Sequence, residues 1–170
     1  MVSVAEPPAV MKNQDLLGSL LKRVSRSFYL TLKVVPSNVR RPIGLAYLFA
    51  RAADTIADTT LIDRADRLKH LEIFREAFKE DKAGPLLAIK EVFAKRQQVA
   101  AERELLTRLD EGFSILHSLS PSDQAMIRGV ILTLTEGMVM DLATFPGEDE
   151  GRLVALQTRA DLDRYTYYVA

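Results

Sequence analysis

The sequence predicts an all-α protein. Apolar residues recur at steps of three and four, as in Leu68, Leu71, Phe74 and Phe78, or Leu105, Leu109, Phe113 and Leu116. Proline and glycine punctuate these runs at Pro36, Gly84-Pro85 and Ser120-Pro121, where helices stop and start. The segment whose alternation admits a strand, Tyr29 to Val35, finds no partner strand in the rest of the chain and is assigned to helix. With 170 residues, 48% of them hydrophobic, the chain buries a substantial core and is most simply one domain or a large part of one.

Residues 1–12 read as a flexible tail and 13–170 as a helical unit of some six to eight helices. Asn13 or Asp15 caps a first helix carrying Leu16, Leu17, Leu20 and Leu21, which runs through Ser25-Arg-Ser-Phe28 into Tyr29 to Val35. Pro36 stops it, and Ser37 can cap the next helix, roughly Asn38 to Thr59. Asp63 starts the helix of Leu68 to Phe78. Helices over Leu86 to Gln97 and Glu102 to Leu119 follow Pro85. Ser120 is a cap with proline at the first helical position, opening a long apolar helix from Ser122 to Thr144. Pro146 to Gly151 is an acidic loop. Thr158-Arg-Ala-Asp161 resembles a capping box for a last helix through Tyr165, Tyr167 and Tyr168.

Composition excludes several functions. Lys+Arg and Asp+Glu are equal at 23 each, so no bulk charge recruits nucleic acid or an anionic surface. The absence of cysteine rules out disulfides, thiolate metal sites and cysteine nucleophiles. No stretch approaches the roughly 20 apolar residues that span a bilayer, and the N-terminus lacks a signal peptide's basic start and apolar core, so a cytoplasmic location is expected. His70 and His117 stand apart from each other and from the acids, which favours structural roles.

The most informative stretch is Asp54-Thr-Ile-Ala-Asp58, two carboxylates one helical turn apart in an apolar segment. With Tyr47 and Arg51 they share one helix face, while Leu45, Leu48, Phe49, Ala52 and Ile56 cover the rest. A helix buried on most sides with a polar strip along a cavity fits this pattern. The two acids can hold a hard divalent cation such as Mg²⁺, or form an internal salt-bridge cluster with Arg51. Gly137 and Asp141 also share a face; a mid-helix glycine marks a close helix crossing or a space kept for a ligand, the crossing being the simpler account. Ser25, Arg26 and Ser27 offer hydroxyls and a guanidinium to phosphate oxygens, or merely cap a helix end. The tyrosines from Tyr165 to Tyr168 are core residues or proton-handling phenols.

Together these stretches resemble the squalene/phytoene synthase family, the head-to-head prenyl transferases. Ser25 to Phe28 match its Ser-[Arg/Lys]-Ser-Phe segment; Tyr47, Arg51, Asp54 and Asp58 match its Tyr-x-x-x-Arg-x-x-Asp-x-x-x-Asp segment. Gly137 and Asp141 match its Gly-x-x-x-Asp helix, and Tyr165, Tyr168, Val169 and Ala170 its Tyr-x-x-Tyr-Val-Ala segment. Thr55 stands where many members have a second adjacent acid, a variant that looks more like squalene than phytoene synthases.

The resemblance implies an isoprenoid synthase fold, a partial helical bundle around a central apolar cavity that receives two prenyl diphosphates, with farnesyl diphosphate the expected substrate. It assigns Mg²⁺ to Asp54 and Asp58, diphosphate contacts to Arg51, Ser25, Arg26 and Ser27, and pocket lining to Phe28 and Tyr47. Asp141 joins the substrate-binding set, and Tyr165 acts near the cation. Squalene formation would use NADPH, whereas phytoene formation would lose a proton instead. An apolar product suits peripheral contact with a membrane. The family's second aspartate-rich motif is expected on a later helix and the chain ends before it, so these residues are expected to be roughly the first half of a synthase, inactive alone, or to take the partner helices from another chain. The competing reading is a non-catalytic helical module that binds an isoprenoid diphosphate.

Overall fold

The computed structural model describes residues 15–25, 27–145, 151 and 154–169. The expected tail at 1–12, Asn13, Arg26, most of the 146–151 loop and Ala170 lie outside them. Among the described residues all regular structure is helical. The segment Tyr29 to Val35 is helix up to Val34, as its lack of a strand partner implies, and turns extended at Val35.

Among the described residues ten helical segments stand in place of the six to eight expected, because two helices taken as continuous are divided. The first begins as a π-helical turn, Leu16–Leu20 (α1, numbered with the α-helices), and continues as α2, Leu21–Ser25. It buries Leu16, Leu20 and Leu21 before α3, Phe28–Val34, sets off separately. The helix expected over Glu102 to Leu119 divides into α7, Ala100–Thr107, and α8, Leu109–His117. The break falls at Arg108, whose φ of −117° and ψ of 21° leave the helical region. Its guanidinium reaches Asp15, Glu104 and Glu111, so one side chain ties the break to the start of α1.

The central element is α4, Ser37–Asp58, which begins directly after Pro36 and carries Pro42 in its second turn. It packs against α5, Arg64–Glu80, α8 and α9, Pro121–Thr144. Leu45, Leu48, Phe49, Ala52, Ala53 and Ile56 are each 0–1% exposed, so most of its circumference is core. Phe49 meets Phe78 edge-on at 4.8 Å and Phe113 at 5.6 Å between ring centroids, and Phe74 continues the cluster against Phe78 at 5.0 Å. These offset and tilted arrangements are the ones ring quadrupoles favour.

Three of the predicted caps are present, whereas the Asp15 side chain makes no capping hydrogen bond and Ser37 is the first residue of α4 rather than its cap, that place falling to Pro36. The Asp63 carboxylate accepts from the Asp66 N–H at 2.8 Å, and Ser120 Oγ accepts from the Asp123 N–H at 3.1 Å, each satisfying a free first-turn donor. Thr158 and Asp161 form a reciprocal capping box at the start of α10, Arg159–Val169. Helix α6, Leu86–Arg96, closes the bundle beside α5 and α7. Both histidines are structural. His70 is buried with Nδ1 2.6 Å from the Asp66 carbonyl, and His117 pairs with Asp81 on the surface.

Candidate functional site

Along the one polar strip of α4 lie Tyr47, Arg51, Asp54 and Asp58, and the helices around it turn that strip into a cleft. Arg51, Asp54, Thr55, Asp58 and Thr59 line it from α4 and its C-terminal end, and Gln97 and Glu102 close it from the α6–α7 corner. The cleft encloses about 110 Å³. Burial pushes the Asp54 carboxyl up, the Asp58 charge pushes it the same way, and Arg51 opposes both. An Asp54 carboxyl whose surroundings favour protonation over charge, with Asp58 beside it, is a place where a cation relieves electrostatic cost.

Arg51 does not bridge to these aspartates. Its Nη2 donates to Glu102 Oε1 at 2.6 Å, so the salt-bridge alternative read from the sequence gives way to a partner on another helix. Gln97 Nε2 donates to the second Glu102 oxygen at 3.2 Å. Nothing in the sequence singles out Glu102 or Gln97; both lie some fifty residues on, in stretches that read as ordinary helix ends. Thr55, where many family members were expected to have an acid, is buried and donates its hydroxyl to the Arg51 carbonyl at 2.9 Å. It caps nothing and serves its own helix, leaving two carboxylates on this part of the strip.

Asp58 also borders a second, larger cavity of about 280 Å³, walled by Ala57, Leu134, Met138, Leu142, Tyr165 and Tyr168 and including Gly137 and Asp141. Tyr165 donates to Asp141 Oδ1 at 3.1 Å; that hydrogen bond, a little burial and the carboxylate's charge raise the phenol's pKa, so it is neutral at physiological pH. Gly137 turns out to be a close helix crossing. A Cβ there would stand 2.7 Å from Tyr168 Cβ and 3.3 Å from the Tyr168 carbonyl oxygen, which a backbone atom cannot vacate cheaply. The missing side chain seats α10 on α9 and brings Tyr165 to Asp141.

The Ser25–Phe28 segment is only partly described, since Arg26 lies outside the described residues. Ser25 is buried, and its Oγ finds no hydrogen-bond partner among the described residues. Ser27, at the start of α3, makes no capping hydrogen bond, so the helix-cap account of these hydroxyls is not realised. Phe28 and Tyr47 stack on each other, 4.3 Å between centroids and 14° from parallel, beside the Arg51 turn of α4.

The donor set suits Mg²⁺. Among the described residues no group of three or more His, Cys, Asp or Glu side chains could hold a metal, yet Mg²⁺ usually takes one or two carboxylates and completes its shell with water and substrate phosphates. Asp54 and Asp58 are such a pair. Among the described residues no helix is long and apolar enough to cross a membrane.

Known proteins resemble this chain along most of its length. A family model described as squalene/phytoene synthase matches residues 21–170. A squalene synthase of Eremothecium gossypii is 28% identical over 151 residues, covering 89% of this chain and 32% of that protein. Squalene synthase ERG9 of Saccharomyces cerevisiae is 30% identical over 151 residues, covering 89% of this chain and 31% of that protein. A solved structure of TcSQS with a ligand, BPH1237, superimposes with a TM-score of 0.67 at 26% identity, covering 94% of this chain and 41% of that one. The chain spans about a third of the length of the curated relatives it matches, against the half that the resemblance implied.

Proposed function

The chain belongs to the squalene/phytoene synthase family, and from that premise we propose that the whole protein joins two prenyl diphosphates head-to-head, with farnesyl diphosphate as substrate and squalene as product. The observation that carries this reading is the position of Asp58 on the border of both cavities. One side is polar and acidic, suited to a metal-bound diphosphate; the other is apolar with a phenol, suited to the prenyl carbons attached to it.

Mg²⁺ bound by Asp54 and Asp58 would supply charge neutralisation to a departing diphosphate. Arg51 keeps a guanidinium nitrogen, Nη1, beyond the one given to Glu102, and it would serve diphosphate oxygens. Loss of pyrophosphate leaves an allylic cation on the first chain. That cation adds to the double bond of the second chain, and loss of a proton closes a cyclopropyl diphosphate. Tyr165, whose hydroxyl donates to Asp141, would stabilise the positive charge with its ring or take part in the proton transfer. Leu134, Met138 and Leu142 hold water away from the cation. NADPH would supply the hydride that, with loss of the second diphosphate, gives squalene. A hydrocarbon product partitions into lipid, so the complete protein works in peripheral contact with a membrane.

The test is product analysis of the complete protein with farnesyl diphosphate and Mg²⁺, with and without NADPH. Squalene formed only with NADPH supports the reading in full. A hydrocarbon released without a reductant moves the protein to the phytoene type, and no pyrophosphate release from any prenyl diphosphate overturns the proposal.

A further inference from the structure

Arg51 and Asp54 stand three residues apart on α4, the spacing at which opposite charges on a helix normally pair. They do not. Among the described residues the ion-pair partner of Arg51 is Glu102, at 2.6 Å and from the first turn of α7. Glu102 is itself braced. Gln97 donates to its free oxygen at 3.2 Å, and buried Gln97 is fixed in turn because its Oε1 accepts the Val99 N–H at 3.0 Å. The carboxylate also lies where the positive end of the α7 dipole favours it. The reach toward Glu102 leaves Arg51 Nε buried without a hydrogen-bond partner among the described residues. An arginine positioned only for its own satisfaction would not leave that donor idle.

We propose that Glu102, braced by Gln97, is a positioning residue that holds the Arg51 guanidinium away from Asp54 and Asp58, so that both carboxylates remain open to a divalent cation. The inference rests on the metal role given to the two aspartates above. It separates two jobs that neighbouring residues on one helix face would otherwise confound. Without Glu102, the guanidinium would fall back on Asp54 and compete with the metal for its oxygens. With Glu102, the cation site and the guanidinium stand side by side, each with its own charge intact.

The test is Mn²⁺ binding to the complete protein, titrated with the metal alone and followed by electron paramagnetic resonance, a readout that needs no turnover. Glu102→Gln should weaken Mn²⁺ binding by about tenfold, the scale of losses seen when residues behind metal ligands are changed. Glu102→Asp should recover part of it. Arg51→Gln in the Glu102→Gln background should restore wild-type affinity, because no guanidinium remains to compete. Thermal unfolding of each variant confirms that it is folded. Unchanged affinity in Glu102→Gln overturns the proposal, as does Arg51→Gln giving the same gain with Glu102 present as without it, the additive behaviour of two independent charges. Wild-type protein that binds no Mn²⁺ overturns the metal role of the aspartates and this inference with it, whereas either variant result leaves that role standing.

Discussion

Asp54→Asn should make the metal-free protein more stable while removing its activity. Burial and the neighbouring Asp58 charge raise the Asp54 pKa, with only a smaller opposite pull from Arg51. The linkage sign follows from that direction. A carboxyl whose folded pKa lies above its unfolded value of about 3.9 contributes its stabilisation in full below that unfolded value and loses it as pH rises through the folded pKa. At pH 7, without a cation, the charged side chain is therefore a liability. A like-charge pair four residues apart on a helix costs roughly 0.2–0.5 kcal/mol. Partial desolvation adds a comparable amount, trimmed by solvent screening because the group is only half-buried. The substitution should thus gain about 0.5–1 kcal/mol, or roughly 1–3 °C in melting temperature. Thermal melts in EDTA should show the difference at pH 7 and see it shrink toward pH 4. Mg²⁺ should raise the midpoint of the wild type and leave that of Asp54→Asn unmoved. A variant that melts below wild type at pH 7 in EDTA would mean that Asp54 is a structural anchor, and the electrostatic reasoning would fail.

Asp58→Asn should likewise lower turnover by orders of magnitude with an intact helical circular dichroism spectrum; near-normal Mg²⁺-dependent turnover in both asparagine variants would refute their shared metal role. Tyr165→Phe keeps the ring and loses one partly exposed hydrogen bond, so stability should fall by about 1 kcal/mol or less while product formation drops sharply per folded molecule. A loss of several kcal/mol with unchanged rate would make Tyr165 a packing residue. Gly137→Ala forces a Cβ against the Tyr168 backbone and should destabilise by about 1–3 kcal/mol, with reduced protection of α10 amides in hydrogen exchange. Ser25→Ala removes a buried hydroxyl that lacks a partner, so denaturant unfolding should show neutral or slightly raised stability, while the Michaelis constant for the prenyl diphosphate rises.

Most helices and three of their caps are legible in the sequence because they depend on local chemistry, whereas the Ser37 and Asp15 caps are not realised. Asp63, Ser120 and Thr158 announce helix starts through side chains that bond to backbone within three residues. The polar strip was legible too, since α4 alone sets which side chains share its face. Features that depend on contacts between distant segments were not. The break at Arg108 reflects charges from Asp15 and from both flanking helices, and periodicity runs through it undisturbed. The partner of Arg51 is hidden for the same reason: the nearby aspartates are visible in sequence as one alternative, whereas Glu102 reaches the site only after α6 and α7 have packed. Gly137 was read correctly as a crossing, but which helix crossed it, and that this seats Tyr165, required the packing itself.

Helix α4 has no idle side along its second half. From Leu45 to Asp58 the positions lie in the core, pack partly buried against it, or line a cleft, and Ala52 and Ala53 are both 0% exposed. Surface helices usually keep a solvent face on which substitutions drift freely; this segment lacks one. In a saturation library of the complete protein it should form a nearly unbroken block of intolerance, with core positions failing by loss of folded protein and strip positions by loss of catalysis at normal abundance. Measuring abundance and activity separately would therefore split the block with the helical period, and new specificities would have to evolve from the elements opposite α4 while this helix stays fixed.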